Sequence, residues 1–153
     1  MKIIKDDLTG PEIKSLLQEH LDDMYATSPP ESVHALDVDA LRRPEITFWS
    51  AWLESDLVGC IALKALEPGH GEIKSMRTAK IARGKGVAKT LLQHLVEQAR
   101  SSGLHKLSLE TGTEAFFAPA RNLYLGYGFK ECAPFSDYRL DPNSVFMTKC
   151  IKE

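Results

Sequence analysis

The chain has 153 residues, of which 43% are hydrophobic and 26% charged, and its formal net charge is −2. These values are typical of one globular domain, which we take as residues 1–153. The slightly negative charge argues against nucleic acid or an anionic membrane surface as a partner. No apolar run is long enough to cross a bilayer, and residues 1–7 lack the core of a signal peptide.

The three cysteines, Cys60, Cys132 and Cys150, are odd in number and form no CxxC pair. Such spacing predicts neither a disulfide framework nor a zinc site, and we expect no bound metal. Cys60 lies in an apolar run where a buried thiol is expected. Free thiols favour a reducing compartment, so the expected location is the cytoplasm.

Two helices are predicted in the first part of the chain. Thr9 and Glu12 have the spacing of a capping box with a proline between them, so we predict a first helix that begins at Thr9. Apolar residues then recur at helical spacing as far as Met24. After the break at Ser28-Pro29-Pro30, a second, shorter helix is predicted from Ser32 to Leu41.

Three strands are predicted next. Ile46–Leu53 is rich in aromatic and β-branched residues, and Leu57–Leu66 returns after a polar turn, so the two form a hairpin. Pro68–Gly71 forms the following turn, in which His70 is predicted to be an ordinary turn residue. Glu72–Thr78 then alternates in polarity and is predicted to be a third strand of this sheet.

The second half alternates between helices and strands. We predict a helix from Val87 to about Ser102, a strand at Lys106–Thr111, a helix that closes at Tyr127-Gly128, and strands at Phe129–Cys132 and Ser144–Ile151. The whole order is β-α-α-β-β-β-α-β-α-β-β. This order predicts an α/β fold with a mixed central sheet and helices on both faces.

A glycine-rich turn, Arg83-Gly84-Lys85-Gly86-Val87-Ala88, runs directly into a helix with an apolar stripe. The first N–H groups of such a helix are unpaired and lie at the positive end of its dipole. The glycines allow close approach to the backbone, and Arg83, Lys85 and Lys89 add positive charge. The turn therefore predicts a site for a pyrophosphate. A Rossmann site lacks its third glycine here, and no Walker motif is present.

The chain resembles the GNAT superfamily of acetyl-CoA-dependent N-acyltransferases. The turn matches the pyrophosphate motif of that family as Arg83-x-x-Gly86-x-Ala88, and Leu123-Tyr124-(x)3-Gly128-Phe129 matches its closing signature. Segments at 110–112, 134–138 and 141–147 are similar to a bacterial subfamily of small, stand-alone acetyltransferases, some of which are linked to indole-acetate metabolism. The resemblance covers essentially the whole chain.

The resemblance implies acetyl-CoA as the acyl donor. It places the pyrophosphate on the turn and the first residues of the helix: Arg83, Gly84, Lys85, Gly86, Val87, Ala88 and Lys89. The strand Met76-Arg77-Thr78 would offer backbone groups to the pantetheine arm, as an added strand does at an open sheet edge. The amide after Met76 would face the acetyl carbonyl as a small oxyanion hole.

Transfer to an amine requires a base for the ammonium and an acid for the departing thiolate. Two carboxylates lie on the strands expected to flank the donor, Glu72 and Glu110, and we favour Glu72 as the base while Glu110 stays a candidate. Tyr124 matches the family tyrosine that faces the cofactor sulfur and is expected to be the acid. Each of the three has a structural alternative, as an ion-pair partner or as a packed aromatic.

The acceptor is predicted to be the amine of a small molecule. Candidate contacts, each with an alternative role in packing or at the surface, are His20, His34, Trp49, Phe135, Asp137 and Tyr138. Lys74 and Arg77 are predicted to face solvent, with Arg77 as an alternative contact for an acidic acceptor. A module that binds acetyl-CoA without catalysis, such as a sensor, is the alternative function. A monomer or a homodimer is expected.

Overall fold

The computed structural model of the chain describes residues 1–152. The elements follow one another as β1 (Lys2–Lys5), α1 (Pro11–Thr27), α2 (Val38–Leu41), β2 (Ile46–Leu53), β3 (Asp56–Ala65), β4 (His70–Thr78), α3 (Val87–Ser101), β5 (Lys106–Gly112), α4 (Ala118–Tyr127), β6 (Lys130–Cys132) and β7 (Ser144–Cys150). This is the predicted order, and the α/β class is confirmed. No helix among residues 1–152 is long and apolar enough to cross a membrane.

The seven strands form one mixed sheet in the order β1-β2-β3-β4-β5-β7-β6. Every neighbouring pair is antiparallel except β4 and β5, which run parallel. These two strands pair only over His70–Glu72 and Lys106–Ser108. The edge of β4 that faces β5 is therefore open from residue 73 onward, and its backbone groups are available to a ligand.

A β-bulge lies in the open part of β4. Cys60 pairs with Arg77 and Ala62 with Lys74, so two residues of β4 oppose one residue of β3. At the bulge Ser75 has a φ of 54°, and its carbonyl accepts a hydrogen bond from Cys60 Sγ at 3.3 Å. The bulge changes the direction of β4 at the point where the strand leaves β5. Cys60 is fully buried, as predicted, and its burial raises the pKa of the thiol to about 12.

Helices cover both faces of the sheet, as predicted. On one face α3 buries Leu91, Leu92 and Leu95 against the strands, and α4 adds Tyr124 to the same cluster. On the other face α1 and α2 pack a smaller cluster whose buried members include Leu8, Ile13, Leu16, Leu17, Leu41 and Phe48. Removal of this apolar surface from water is the main stabilising contribution on either side.

Both predictions for the start of the helical segment need correction. Helix α1 begins at Pro11 after Gly10, which makes no side-chain capping bond. Thr9 Oγ1 instead donates to Asp7 Oδ1 at 2.7 Å, so the predicted capping box does not form. The helix predicted from Ser32 to Leu41 is limited to α2, where Asp37 caps the first turn by accepting from Ala40 N at 2.9 Å.

Candidate active site

An elongated groove runs along the open edge of β4 and past the beginning of α3. Gly84 and Gly86 have φ values of 79° and 77°, and a Cβ added at either would meet no atom within 4 Å. Gly86 caps α3, so the first amides of that helix lack intrahelical partners, and Arg83 and Lys89 line the same groove. This combination of bare backbone, a helix N-terminus and cations fits a pyrophosphate.

The groove contains most of the residues predicted to hold the donor. Its walls include Met76, Arg77, Thr78, Arg83, Gly84, Gly86, Val87, Ala88 and Lys89. Lys85 is exposed and does not line it, because the turn directs this side chain elsewhere. The motif therefore contributes backbone and two cations rather than three.

A second, more enclosed cleft continues from the inner end of the groove. The two cavities share His20, Met24, Met76, Phe117 and Ala120. The cleft lies where β4 and β5 separate. Six of the residues predicted for catalysis or acceptor binding line it: His20, His34, Glu72, Glu110, Tyr124 and Tyr138. A ligand in the groove and a ligand in the cleft would meet at the shared residues.

Glu72 lies on the floor of the cleft and is only 2% exposed. Its Oε2 accepts hydrogen bonds from Tyr138 OH at 2.5 Å and from Lys74 Nζ at 3.1 Å, and Lys74 also donates to Tyr138 OH at 2.9 Å. Lys74 is therefore not a solvent-facing residue, and that prediction was wrong. Its cation is retained inside the cleft because it neutralises a buried carboxylate.

Glu110 lies on β5 across the cleft from Glu72. Burial raises the pKa of its carboxyl from 4.5 to about 7, against the opposing effects of Ser144 and Lys74, while Glu72 raises the pKa further. A carboxyl with this pKa exchanges its proton near neutral pH, which is the range that suits a general base. The two carboxyls thus have different environments within one cleft.

Tyr124 projects from α4 towards the same cleft. It is 5% exposed, and its hydroxyl donates to Met76 Sδ at 3.4 Å. Burial raises the pKa of the phenol above its ordinary value, so the hydroxyl keeps its proton. Its partner Met76 belongs to the junction of groove and cleft, which puts an O–H donor beside that junction.

The two histidines predicted to contact the acceptor lie at different depths. His34 packs edge-on against the Tyr138 ring, with centroids 4.9 Å apart, and burial lowers its pKa. His20 is deeper, at 8% exposure, and lies at the junction with the groove. Burial, and then the nearby Arg77, lower its pKa to about 4.

Arg77 points away from the cleft, towards α1. Its guanidinium is 5% exposed and forms ion pairs with Glu19 and, at 2.6 Å, with Asp23. The prediction that it faces solvent was wrong, because Glu19 and Asp23 of α1 hold its guanidinium in the interior.

Two further predictions, for Trp49 and His70, also need correction. Trp49 is 3% exposed in the core beneath α3, where its ring meets His94 at 5.6 Å, so it packs in the core instead of lining the cleft. Phe135 and Asp137 lie just outside the cleft: Phe135 packs on Tyr138 at 5.1 Å, and Asp137 lines an adjoining cavity with His34, Glu72 and Tyr138. His70 is no simple turn residue, since its Nε2 is 2.7 Å from Ser108 Oγ in the interior.

The roof of the cleft joins two loops that are far apart in sequence. Ser32 Oγ donates to Asp141 Oδ2 at 2.6 Å, and Asn143 Nδ2 lies 3.4 Å from Ser32 Oγ. Ser32 and Asn143 both line the cleft. Sequence reasoning missed these residues, because no local pattern connects a loop after α1 with the loop before β7. The contact encloses the cleft on the side away from the groove.

Residues 1–152 contain no cluster of three or more His, Cys, Asp and Glu side chains arranged to hold a metal ion. The family model of the acetyltransferase (GNAT) family matches residues 13–129. The chain belongs to the GNAT acetyltransferase family. Members of this family use acetyl-CoA as acyl donor, and the enzyme is an acetyltransferase.

Similar proteins span the same length. The "Uncharacterized N-acetyltransferase YsnE" of Bacillus subtilis is 59% identical over 149 residues, which cover 97% of this chain and 99% of that protein. An "IAA acetyltransferase" of Azospirillum brasilense is 40% identical and covers 87% of this chain and 84% of its own. The structure of a "putative acyl-CoA N-acyltransferase" from Klebsiella pneumoniae superposes with a TM-score of 0.79 at 28% identity, covering 98% and 97% of the two chains.

Proposed function

We propose that the enzyme transfers the acetyl group of acetyl-CoA directly to a primary amine of a small molecule, with Glu110 as general base and Tyr124 as general acid. The observation that carries the proposal is the placement of Glu110 and Tyr124 in one cleft that opens into the donor groove, and burial also raises the pKa of Glu110 to about 7. Acetyl-CoA supplies the activated thioester. The chain supplies a site for the amine and two groups that move protons.

The environments of the two carboxylates favour Glu110 over Glu72 as the base. Glu72 holds a lysine and a tyrosine through one oxygen, and taking a proton would weaken both contacts. Glu110 has no cation bound to it and has a pKa near the working pH. We therefore assign Glu72 to the positioning of Lys74 and Tyr138, which reverses the preference drawn from the sequence.

Tyr124 is suited to protonate the leaving thiolate. Its phenol stays protonated because it is buried, and its hydroxyl bonds only weakly, to the sulfur of Met76. That sulfur lies at the junction of groove and cleft, where the thiolate would form. A proton from Tyr124 would then neutralise the charge without a water molecule.

The shape of the cleft supports a small acceptor. The Ser32–Asp141 hydrogen bond closes its roof, and the Glu72–Lys74–Tyr138 network fills its floor with groups already bonded to each other. A protein lysine would have to enter such a cleft with its flanking backbone. A free amine needs no such access.

A screen of primary amines with acetyl-CoA, followed by release of free thiol, tests the proposal. With the best acceptor, we expect Glu110→Gln to lower kcat by about 10²-fold or more and Tyr124→Phe by about tenfold, with an unchanged Kd for CoA. Glu72→Gln is the matched carboxylate control and should lower kcat less than Glu110→Gln. A Glu110→Gln enzyme within threefold of wild type would refute the role of Glu110, and a screen without any acceptor would refute the amine class.

A further inference from the structure

His20 occupies the point where the donor groove and the acceptor cleft meet. It belongs to α1 and lines both cavities, as does Met76 on the opposite side of the junction. Only 8% of the residue is exposed, and its Nδ1 is buried without a hydrogen-bond partner among residues 1–152. Of the two ring nitrogens, Nε2 is therefore the one that a ligand at this junction can reach.

The orphaned Nδ1 determines which nitrogen carries the proton. A buried N–H without an acceptor is among the least tolerated groups in a protein, whereas a lone pair without a donor costs less. The neutral ring of His20 is therefore protonated on Nε2 rather than on Nδ1. Since Nδ1 is shielded from solvent, the exposed edge of the ring is the one that carries Nε2.

Burial and the nearby cation of Arg77 keep the ring of His20 neutral. Burial is the largest effect, the cation of Arg77 on β4 acts in the same direction, and Asp23 on α1 opposes them only in part; the pKa falls to about 4. The other titratable groups of the cleft are His34, Glu72, Lys74, Glu110, Tyr124 and Tyr138. His20 is thus a fixed hydrogen-bond donor at neutral pH and a poor proton acceptor.

We propose that His20 Nε2–H donates a hydrogen bond to the carbonyl oxygen of the thioester and strengthens this bond as negative charge develops on that oxygen. It would act together with a backbone amide of the open edge of β4, from the opposite side of the junction. The amine nitrogen forms the new C–N bond and gives its proton to the base. The C–S bond breaks with its electron pair on the CoA sulfur, which the general acid protonates, and His20 keeps its proton throughout. The assignment rests on acetyl transfer at this site, but not on the identity of the amine or of the base.

Infrared spectroscopy of bound acetyl-CoA, labelled with ¹³C at the carbonyl, tests the contact without any acceptor. A hydrogen bond lowers the C=O stretching frequency, so the wild-type complex should absorb below the free thioester. In His20→Leu the band should return towards the free position. His20→Gln places an N–H near the position of Nε2 and should keep most of the shift.

The His20 variants should also differ in kcat. Loss of one oxyanion donor lowers kcat by about 10²-fold or more, so His20→Leu should show this loss with an unchanged KM for acetyl-CoA. The kcat of His20→Gln should be at least tenfold higher than that of His20→Leu. The pH dependence of kcat should keep its shape in both variants, because the neutral imidazole does not titrate in the working range.

His94→Leu is the matched control. His94 also has a buried ring nitrogen without a partner, Nε2, but it packs against Trp49 and lines neither cavity. Its replacement should alter neither the infrared band nor kcat. Equal carbonyl bands in wild type and His20→Leu would overturn the proposal, and so would a shift of the acidic limb of the pH profile in His20→Leu. If only the amine screen fails while the infrared shift depends on His20, the proposed acceptor is wrong and this contact stands.

Discussion

The donor groove and the acceptor cleft are adjoining cavities that are built in opposite ways. The groove is formed largely by residues 76–89, one continuous segment that offers open strand edge, glycine backbone and a helix N-terminus. The cleft takes side chains from α1, the loop after it, β4, β5, α4 and the loop before β7. The groove therefore depends on backbone conformation, and the cleft depends on tertiary packing.

This difference has an energetic consequence. A Cβ added at Gly84 or Gly86 would meet no described atom within 4 Å, so the cost to the folded state comes from their positive φ values alone. Cleft residues hold each other, as in the contacts among Glu72, Lys74 and Tyr138. Mutations in the groove should mainly alter affinity for CoA, and mutations in the cleft should alter stability as well.

The largest expected effect comes from Lys74→Met in the cleft. Removal of the cation leaves the Glu72 carboxylate buried without its counter-charge, which costs about 3–5 kcal/mol of unfolding free energy. Urea unfolding at neutral pH measures this loss. The Kd for CoA of the folded variant should stay within twofold of wild type, because Lys74 lies outside the groove.

The double variant Lys74→Met/Glu72→Gln controls for lost packing around Lys74. It removes both charges, and we expect it to recover most of the stability that the single variant loses. If Lys74→Met instead costs under about 1 kcal/mol, the pair behaves like a surface ion pair. The energetic contrast between groove and cleft would then fail.

The same contrast explains what could be predicted from the sequence. The order of elements depends on local periodicity and was predicted correctly. The turn at Arg83–Ala88 is also a local signal, and most of the residues predicted to hold the donor line one groove. Lys74 was predicted to face solvent, because alternation along a strand does not indicate which face is covered by a distant loop carrying Tyr138. Trp49 was placed in the cleft for the same reason, although α3 covers its face of the sheet.

The predicted start of α1 at Thr9 was also wrong, for a local reason. Thr9 has the residue type and spacing of an N-cap, but Asp7 competes for its hydroxyl and the helix begins two residues later. The contact between Ser32 and Asp141 spans 109 positions, and no sequence pattern reports it. The side-chain contacts of the cleft are therefore the part of the structure that a single sequence predicts least well.

The next largest expected effect is that of Glu110 on the pH dependence of the unfolding free energy. Glu110 has a pKa of about 7 in the fold against an ordinary 4.5, so between these values the folded state retains a proton that the unfolded state has lost. Stability therefore falls as pH rises from about 4.5 to about 7, by up to about 3 kcal/mol. Glu110→Gln should lack this part of the decline when unfolding is followed by urea denaturation at several pH values.

Glu97→Gln, on the exposed face of α3, controls for the loss of a carboxylate as such. Its stability should follow the wild-type pH profile. Parallel profiles for wild type and Glu110→Gln would mean that Glu110 does not retain a proton in the folded enzyme. The cleft would then lose its main electrostatic distinction from the groove, together with the argument for Glu110 as the base.

The smallest expected effect on stability comes from Gly86→Ala in the groove. Gly86 has a φ of 77°, where a Cβ costs about 1 kcal/mol, and the added methyl group meets no protein atom within 4 Å. It would instead occupy the space in which the pyrophosphate approaches the amides of α3. We expect the Kd for CoA, measured by calorimetry, to rise at least tenfold, about 1.4 kcal/mol.

Gly103→Ala is a matched control for this change, because Gly103 has a φ of 85° and equally open surroundings after the end of α3. It should lose the same ~1 kcal/mol of stability and bind CoA like wild type. Equal CoA affinities in the two variants would show that the pyrophosphate does not approach Gly86. The groove would then bind its donor through Arg83 and Lys89 alone, and its dependence on backbone, which separates it from the cleft, would be lost.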